Sequence, residues 1–393
     1  MKYVVICGDG MGDYPVAELG GRTILQAAAT PHLRRLAAAG RLAMVRTVPD
    51  ELPPGSDVAN LGLLGYDARE NYTGRAPIEA AGAGLPLRDQ DVAYRCNLVH
   101  VRDGAMADYS AGHITTPEAH QIVADLDRAL GRPGLRFHGG VSYRHLLVWE
   151  NGPVGLQTQP PHDIADQPVA GHLPSGPRSD EVRDLMARSE ALLRDHPVNR
   201  QRRHDGLLPA TQIWLWGQGK AMTLEPYRQK FGLAGGVISA VDLVRGLGVL
   251  AGLVAPKIVG ATGFLDTNYE GKVAAALKIL DQADFVYVHI EAPDECGHLG
   301  NARKKQQAVE DLDARVIGPL WQALEKRGQP YRLIIGMDHR TPVAVRGHTR
   351  EPVPILAVDG PTGPLSRETA FDETIDAPAA DAWDWICAQL RKA

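Results

Sequence analysis

The feature that most constrains this chain is a repeated junction, in which a short β-branched run ends at once in aspartate or histidine. "KYVVIC" (residues 2–7) leads into "GDGMGD" and Asp9. "DFVYVHIEA" (284–292) leads into "PDECGH", with Asp294 and His298. "YRLIIGM" (331–337) leads into Asp338 and His339, and "RGHTREPVPIL" puts His348 just ahead of a fourth apolar run. A run that is apolar along its whole length reads as a strand buried on both faces. Helical segments lie between these runs, among them "GKVAAALKILDQA" and the long amphipathic "NARKKQQAVEDLDARVIGPLWQALEKRG". Such alternation predicts an α/β fold, a mostly parallel sheet with helices on both faces. Ligands of such sheets bind outside the carboxyl ends of the strands. All six Asp and His residues would then meet at one edge, provided the strands are neighbours.

The 393 residues suffice for two domains, and 44% hydrophobic with 23% charged residues describes a globular protein. A net charge of −5 with no basic block argues against a nucleic-acid partner. Cys7, Cys96, Cys296 and Cys387 are scattered, with no C-x-x-C pair, which fits a reducing cytoplasm. The first apolar run is too short for a signal peptide, and no run approaches a membrane span. The expectation is therefore a cytoplasmic protein with no membrane partner.

Residues 1–70 and 178–393 are expected to form a discontinuous core, with an inserted α+β domain at 71–177. In that insert "VAYRCNLVHVRDG" and "VSYRHLLVWENG" read as partly polar strands, and "QPPHDIADQPVAGHLPSGPRS" as a Pro/Gly-rich linker. "SDEVRDLMARSEALLRDH" as a helix and "TQIWLWGQGK" as a strand are assigned to the core. "TPHLRRLAAAGRLA" reads as a helix capped by Thr30 with Pro31 at its first position, and "AADAWDWICAQLRKA" as a closing helix.

"PPGSDVAN" reads as a turn feeding a helix, with Ser56 as its N-cap. It lacks the G-x-S-x-G frame of a hydrolase elbow. Metal activation would let the serine act without a His-Asp pair. Asp and neutral His suit divalent metals without cysteine, so Cys296, amid the acidic and histidine residues, is expected to pack. Ser56 and the six Asp and His groups suffice for two ions, and ions about 3.5–4 Å apart clamp an in-line phosphoryl displacement. Each segment alone also reads as ordinary structure: Asp9 as a cap, "DECGH" as chance, "DHRTP" as an Asx-turn. Their recurrence at strand ends is what points to metal. Asp57 and Asn60 share the Ser56 turn and could orient the serine or a phosphate.

The segments "GDGMGD", "PGSDVANLGLLGYD", "YTGRAPIEAAGAG", "EAPDECGH" and "DHRTPVAVRGHTREPVPI" resemble, in order, the archaeal-type cofactor-independent phosphoglycerate mutases of the alkaline phosphatase superfamily. The resemblance implies an alkaline-phosphatase-like core with an inserted lid. It implies interconversion of 3-phosphoglycerate and 2-phosphoglycerate through phospho-Ser56, without 2,3-bisphosphoglycerate. Asp9, Ser56, Asp338 and His339 would hold one ion, and Asp294, His298 and His348 the other. Mn2+ is the implied metal, with Zn2+, Mg2+ or Co2+ as alternatives. The partner would be a small phosphorylated metabolite, and the protein a monomer or small homo-oligomer. Arg95, Arg144, His145, His113, Lys220, His162 and Asp163 are the candidates for substrate binding, Lys220 from the core and the others from the insert. Where the archaeal enzymes carry "RAGR", this chain has Ser110-Ala111-Gly112-His113. That departure resembles a bacterial sister group proposed to be homoserine-kinase-like. A related phosphotransferase or phosphomonoesterase is thus the alternative expectation.

Overall fold

In the computed structural model, which describes residues 1–391, the apolar runs pair as strands. In chain order the strands are β1 (Lys2–Gly8), β2 (Arg41–Arg46), β3 (Asp91–Arg102), β4 (Ala105–Asp108), β5 (Leu135–Val141) and β6 (Arg144–Glu150). They continue with β7 (Gln212–Lys220), β8 (Gly235–Ile238), β9 (Phe285–Ile290), β10 (Tyr331–Gly336), β11 (Val353–Gly360) and β12 (Ala379–Asp381). The chain divides into two compact units, Met1–Tyr72 with Thr223–Ala393, and Thr73–Met222.

The first unit holds a sheet of order β12-β2-β11-β10-β1-β9-β8. β10, β1, β9 and β8 are parallel, while β11 runs against both its neighbours. Every residue of β9 is buried, so both faces of the sheet are covered. The four strands that carry the Asp and His junctions are consecutive, β11-β10-β1-β9. Because β11 is reversed, the segment entering it meets the edge that its neighbours leave. This places His348, before a strand, with residues that follow strands.

The second unit is an antiparallel sheet of order β4-β3-β6-β5, with β7 on the other side of β3. Helices Thr116–Leu130 and Ser179–Arg194 pack on it around Ile122, Leu126, Leu185 and Trp214. This corrects the boundary expected at 177/178. Residues 178–222 pack with the second unit because β7 completes the pairing of β3. Lys220, expected in the core, therefore belongs to the second unit.

Local expectations are adjusted in four places. The helix after Thr30 is Pro31–Ala39; Thr30 makes no side-chain cap bond, and "RLAMVR" is β2. The long helix breaks into Ala302–Leu312, a π-turn at Asp313–Ile317, and Gly318–Arg327. Pro319 has no N–H for the regular ladder there. "APDECGH" is a helix, Ala292–His298, rather than a loop. The closing helix is Ala382–Leu390, and residues 392–393 of that expected segment lie outside the described residues. Among the described residues no helix is long and apolar enough to cross a membrane.

Candidate metal centre and anion-binding cluster

Two junctions, after β1 and after β10, deliver Asp9, Asp338 and His339 to one buried cluster whose ligand atoms lie within 4.8 Å of one another. His339 Nε2 is 3.5 Å from Asp9 Oδ1 and 3.4 Å from Asp338 Oδ2. Ser56 faces it, with Oγ 3.0 Å from His339 Nε2. Ser56 is not the N-cap expected. Gly55 holds that position, and Ser56 opens helix Ser56–Leu63. Its hydroxyl is therefore not used in capping and is turned toward His339.

The second set lies on a short helix after β9 and on the loop before β11. Asp294 and His298 are one turn apart on helix Ala292–His298, so they share a face, with His298 Nε2 3.1 Å from Asp294 Oδ2. His348 Nε2 is 3.5 Å from Asp294 Oδ1 and 3.0 Å from His298 Nε2. Asp294, His339 and His348 also present ligand atoms within 4.8 Å, so His339 stands where the two sets adjoin.

Supporting bonds orient the donors. His298 Nδ1 lies 3.0 Å from the Arg346 carbonyl, which takes its N–H and so turns Nε2 toward Asp294. Thr341 Oγ1 donates to Asp294 Oδ1 and accepts from His339 Nδ1 at 3.2 Å. One hydroxyl thereby aligns a residue of each set. Asp338 accepts from the backbone N–H of Gly10 at 3.1 Å, from its neighbour His339 N–H at 2.9 Å, and from Asn60 Nδ2 at 2.8 Å. Asn60 is in turn held by Tyr287 OH. Asp57 accepts from Tyr72 OH at 2.6 Å and makes no bond to Ser56. Gly10 has φ +60°, and a Cβ there would sit 2.6 Å from both Asp294 Oδ1 and Thr341 Oγ1. The loop needs glycine for both reasons.

The electrostatics suit a divalent cation. Asp9 Oδ1 is buried without a hydrogen-bond partner. Burial, and then Asp338 and Asp294, push the Asp9 carboxyl well above its usual range. Burial would also raise Asp338, but His339 beside it holds it low. Burial pushes His339 down to about 4, so it is a neutral imidazole, as a ligand must be. Burial would lower His298, but Asp294 lifts it to about 9. Crowded carboxylates, one of them orphaned, beside neutral imidazole are a donor set that a divalent ion satisfies. Cys296 is buried against Ala292 and Ala308, as expected of a packed residue.

The second unit gathers cations on aromatic rings. Arg75 Nε donates to Glu79 Oε1 at 3.0 Å, and Arg95 Nε lies 3.0 Å from Glu79 Oε2. Both guanidiniums lie over Trp216, at 5.8 and 4.5 Å from the ring centre. Burial would raise the Glu79 carboxyl, but Arg95, Arg75 and Arg144 hold it low. Trp216 touches His162, His162 touches Tyr109, and Tyr109 touches Tyr143, which meets both His113 and Arg144. Asp163 is exposed, 3.7 Å from His162 Nε2. The structure thus links Arg95, Arg144, His113 and His162 through one run of rings. It does not bring in His145. Successive strand residues point to opposite faces, so Arg144 is exposed and His145 is buried. His145 Nδ1 accepts the Gly140 N–H at 3.0 Å, and burial pushes it down to about 3. Lys220 is exposed at the end of β7. Sequence reasoning missed Arg75 and Thr341; the signals were "TGRAP" and the Thr two residues after "DH".

A serine opening a helix before clustered Asp and His, on a mostly parallel sheet, is an arrangement suited to cation-assisted phosphoryl transfer. Residues 37–199 match the family described as 2,3-bisphosphoglycerate-independent phosphoglycerate mutase. The chain is 50% identical over 377 residues to a Geobacter sulfurreducens protein named "probable 2,3-bisphosphoglycerate-independent phosphoglycerate mutase", covering 95% of this chain and 94% of that one. It is 47% identical over 375 residues to the Methanosarcina barkeri protein named as such a mutase, covering 95% and 94%. A solved Pyrococcus horikoshii protein superposes with TM-score 0.81 at 26% identity, covering 99% of this chain and 97% of that one. The chain belongs to the 2,3-bisphosphoglycerate-independent phosphoglycerate mutase family.

Proposed function

We propose that this chain interconverts 3-phosphoglycerate and 2-phosphoglycerate, carrying the phosphoryl group on Ser56 between the two hydroxyls of glycerate. The observation that carries this reading is Ser56 Oγ, 3.0 Å from His339 Nε2 and turned into the Asp9-Asp338-His339 cluster. Asp9, Asp338, His339 and Ser56 would hold one divalent ion, and Asp294, His298 and His348 a second. Mn2+ suits oxygen and imidazole donors, and Co2+, Zn2+ or Mg2+ can substitute. Bound ions would lower the pKa of the serine hydroxyl and neutralise phosphate charge.

The chain's own residues supply the rest. Ser56 Oγ loses its proton and forms the new P–O bond as the bond to the substrate oxygen breaks. That oxygen regains a proton, so the cycle is proton-neutral when the other hydroxyl takes the phosphoryl group back. The start of helix Ser56–Leu63 favours the negative charge carried there. Asn60 fixes Asp338, and Thr341 fixes Asp294 and His339. Arg75, Arg95 and Arg144 of the second unit provide three cations around one carboxylate, Glu79. Their surplus charge matches the carboxylate and phosphate of phosphoglycerate.

The test is conversion of one phosphoglycerate isomer to the other by Mn2+-loaded protein in an enolase-coupled assay, with ATP-dependent phosphorylation of homoserine run in parallel. Turnover, its loss with chelator and its return with Mn2+ are expected. Phosphate should appear on Ser56 during turnover. Activity on homoserine alone would overturn the mutase reading.

A further inference from the structure

A third group of ligating side chains adjoins the first, and the mutase reading leaves it unused. β1 pairs with β9 so that Cys7 stands opposite His289, and with β10 so that Cys7 stands opposite Gly336, two residues before Asp338. Strand register thus brings Cys7, His289 and Asp338 together. Their ligand atoms lie within 4.8 Å of one another, and all three residues are fully buried. Cys7 is a free cysteine.

His289 supplies the second observation. Neither of its ring nitrogens makes a hydrogen bond. Asp9 Oδ2 lies 3.4 Å from Nε2, and Glu291 Oε1 lies 3.4 Å from Nδ1. Both carboxylates thus sit at ion-pair distance without hydrogen-bond geometry, and a buried polar group left without such a bond costs about 1–3 kcal/mol.

We propose that Cys7, His289 and Asp338, with Asp9 as a fourth donor, form a thiolate-containing site that takes Zn2+ in preference to Mn2+. Thiolate and imidazole are donors that Zn2+ accepts readily, whereas Mn2+ favours oxygen. Binding releases the Cys7 thiol proton to solvent, and the sulfur's negative charge joins that of the carboxylates on the ion. Asp9 and Asp338 also belong to the donor set beside Ser56. Zn2+ seated on Cys7 therefore withdraws two ligands from that set and inhibits the enzyme, a consequence that rests on the mutase reading. The site itself does not.

The full-length protein is stripped with chelator and reloaded with Co2+. A thiolate-to-cobalt charge-transfer absorption is expected and should be bleached by added Zn2+. Zinc X-ray absorption should show a sulfur neighbour at about 2.3 Å. Cys7→Ala should abolish both signals, retain Mn2+-supported turnover, and raise the Zn2+ concentration for half-inhibition by about tenfold or more, a loss typical of a removed metal contact. Cys7→Ser serves if the alanine variant does not fold. No sulfur signal, or one that survives loss of Cys7, overturns the proposal. A Cys7-dependent signal in a protein without mutase turnover upholds the site and removes the mutase reading; turnover without the signal does the reverse.

Discussion

The carboxyl edge of the first unit's sheet carries an excess of carboxylates, whereas the aromatic run of the second unit carries an excess of guanidinium groups. Asp9, Asp294 and Asp338 are buried; Asp338 is aligned by bonds from Gly10 N–H, His339 N–H and Asn60, and Asp294 by Thr341. Arg75, Arg95 and Arg144 share one carboxylate, Glu79, and lie over Trp216 and Tyr143. The negative cluster is fixed by strand ends and backbone, as suits metal donors. The positive cluster is fixed by stacking and by two ion pairs to one carboxylate, Glu79. On the proposed function, one region would hold a cation and the other an organic anion.

The sharpest way to break this contrast is Ser56→Ala. Turnover should fall by about 10³-fold or more while metal content measured by mass spectrometry is nearly unchanged. Comparable turnover in that variant would remove the nucleophile from the reading. Next, Arg95→Met should raise the KM for phosphoglycerate by about 10–100-fold, because one charge of the anion loses its partner. Metal content should hold, so a drop in metal would mean that the two clusters are not independent. Thr341→Val deletes the hydroxyl that aligns Asp294 and His339, and metal affinity by titration should weaken by about tenfold. Thr341→Ser should restore it, since the hydroxyl returns; failure of that rescue would assign the effect to packing.

The smallest effect is in stability. Burial pushes His145 down to about 3, so it is neutral in the folded protein. The unfolded chain takes up its proton below about pH 6.5, while the folded chain does not until about pH 3. The unfolded state therefore binds more protons in that window, and stability falls as pH falls. The loss should reach about 2 kcal/mol at pH 5, read from denaturation midpoints. His145→Gln should flatten the slope; an unchanged slope would place the acid sensitivity elsewhere.

The negative cluster was the more legible of the two in the sequence. Its residues follow, or in His348 precede, short apolar runs, and a parallel sheet collects such positions at one edge. The positive cluster draws on β3, β6, β7, a helix and two turns, with no shared spacing, so the contact of Arg75 with Trp216 had no local signature, although its i,i+4 spacing to Glu79 did. Arg144 and His145 were paired as candidates although a strand sends neighbours to opposite faces. The boundary at 177/178 erred for a related reason: "TQIWLWGQGK" reads as a strand in any context, and only its pairing with β3 assigns it to the second unit.

By itself, then, the sequence determined the strands, their mostly parallel arrangement, and the residue types that wait at their ends, because burial of both faces and the period of each element are local properties. Tertiary structure decided what those ends do together. It made β11-β10-β1-β9 consecutive and reversed β11 so that His348 meets Asp294. It gave the cap to Gly55, which left the Ser56 hydroxyl for the cluster. It also set Cys7 beside His289. These contacts depend on register and strand order, which arise from packing across hundreds of residues and leave no mark in any single segment.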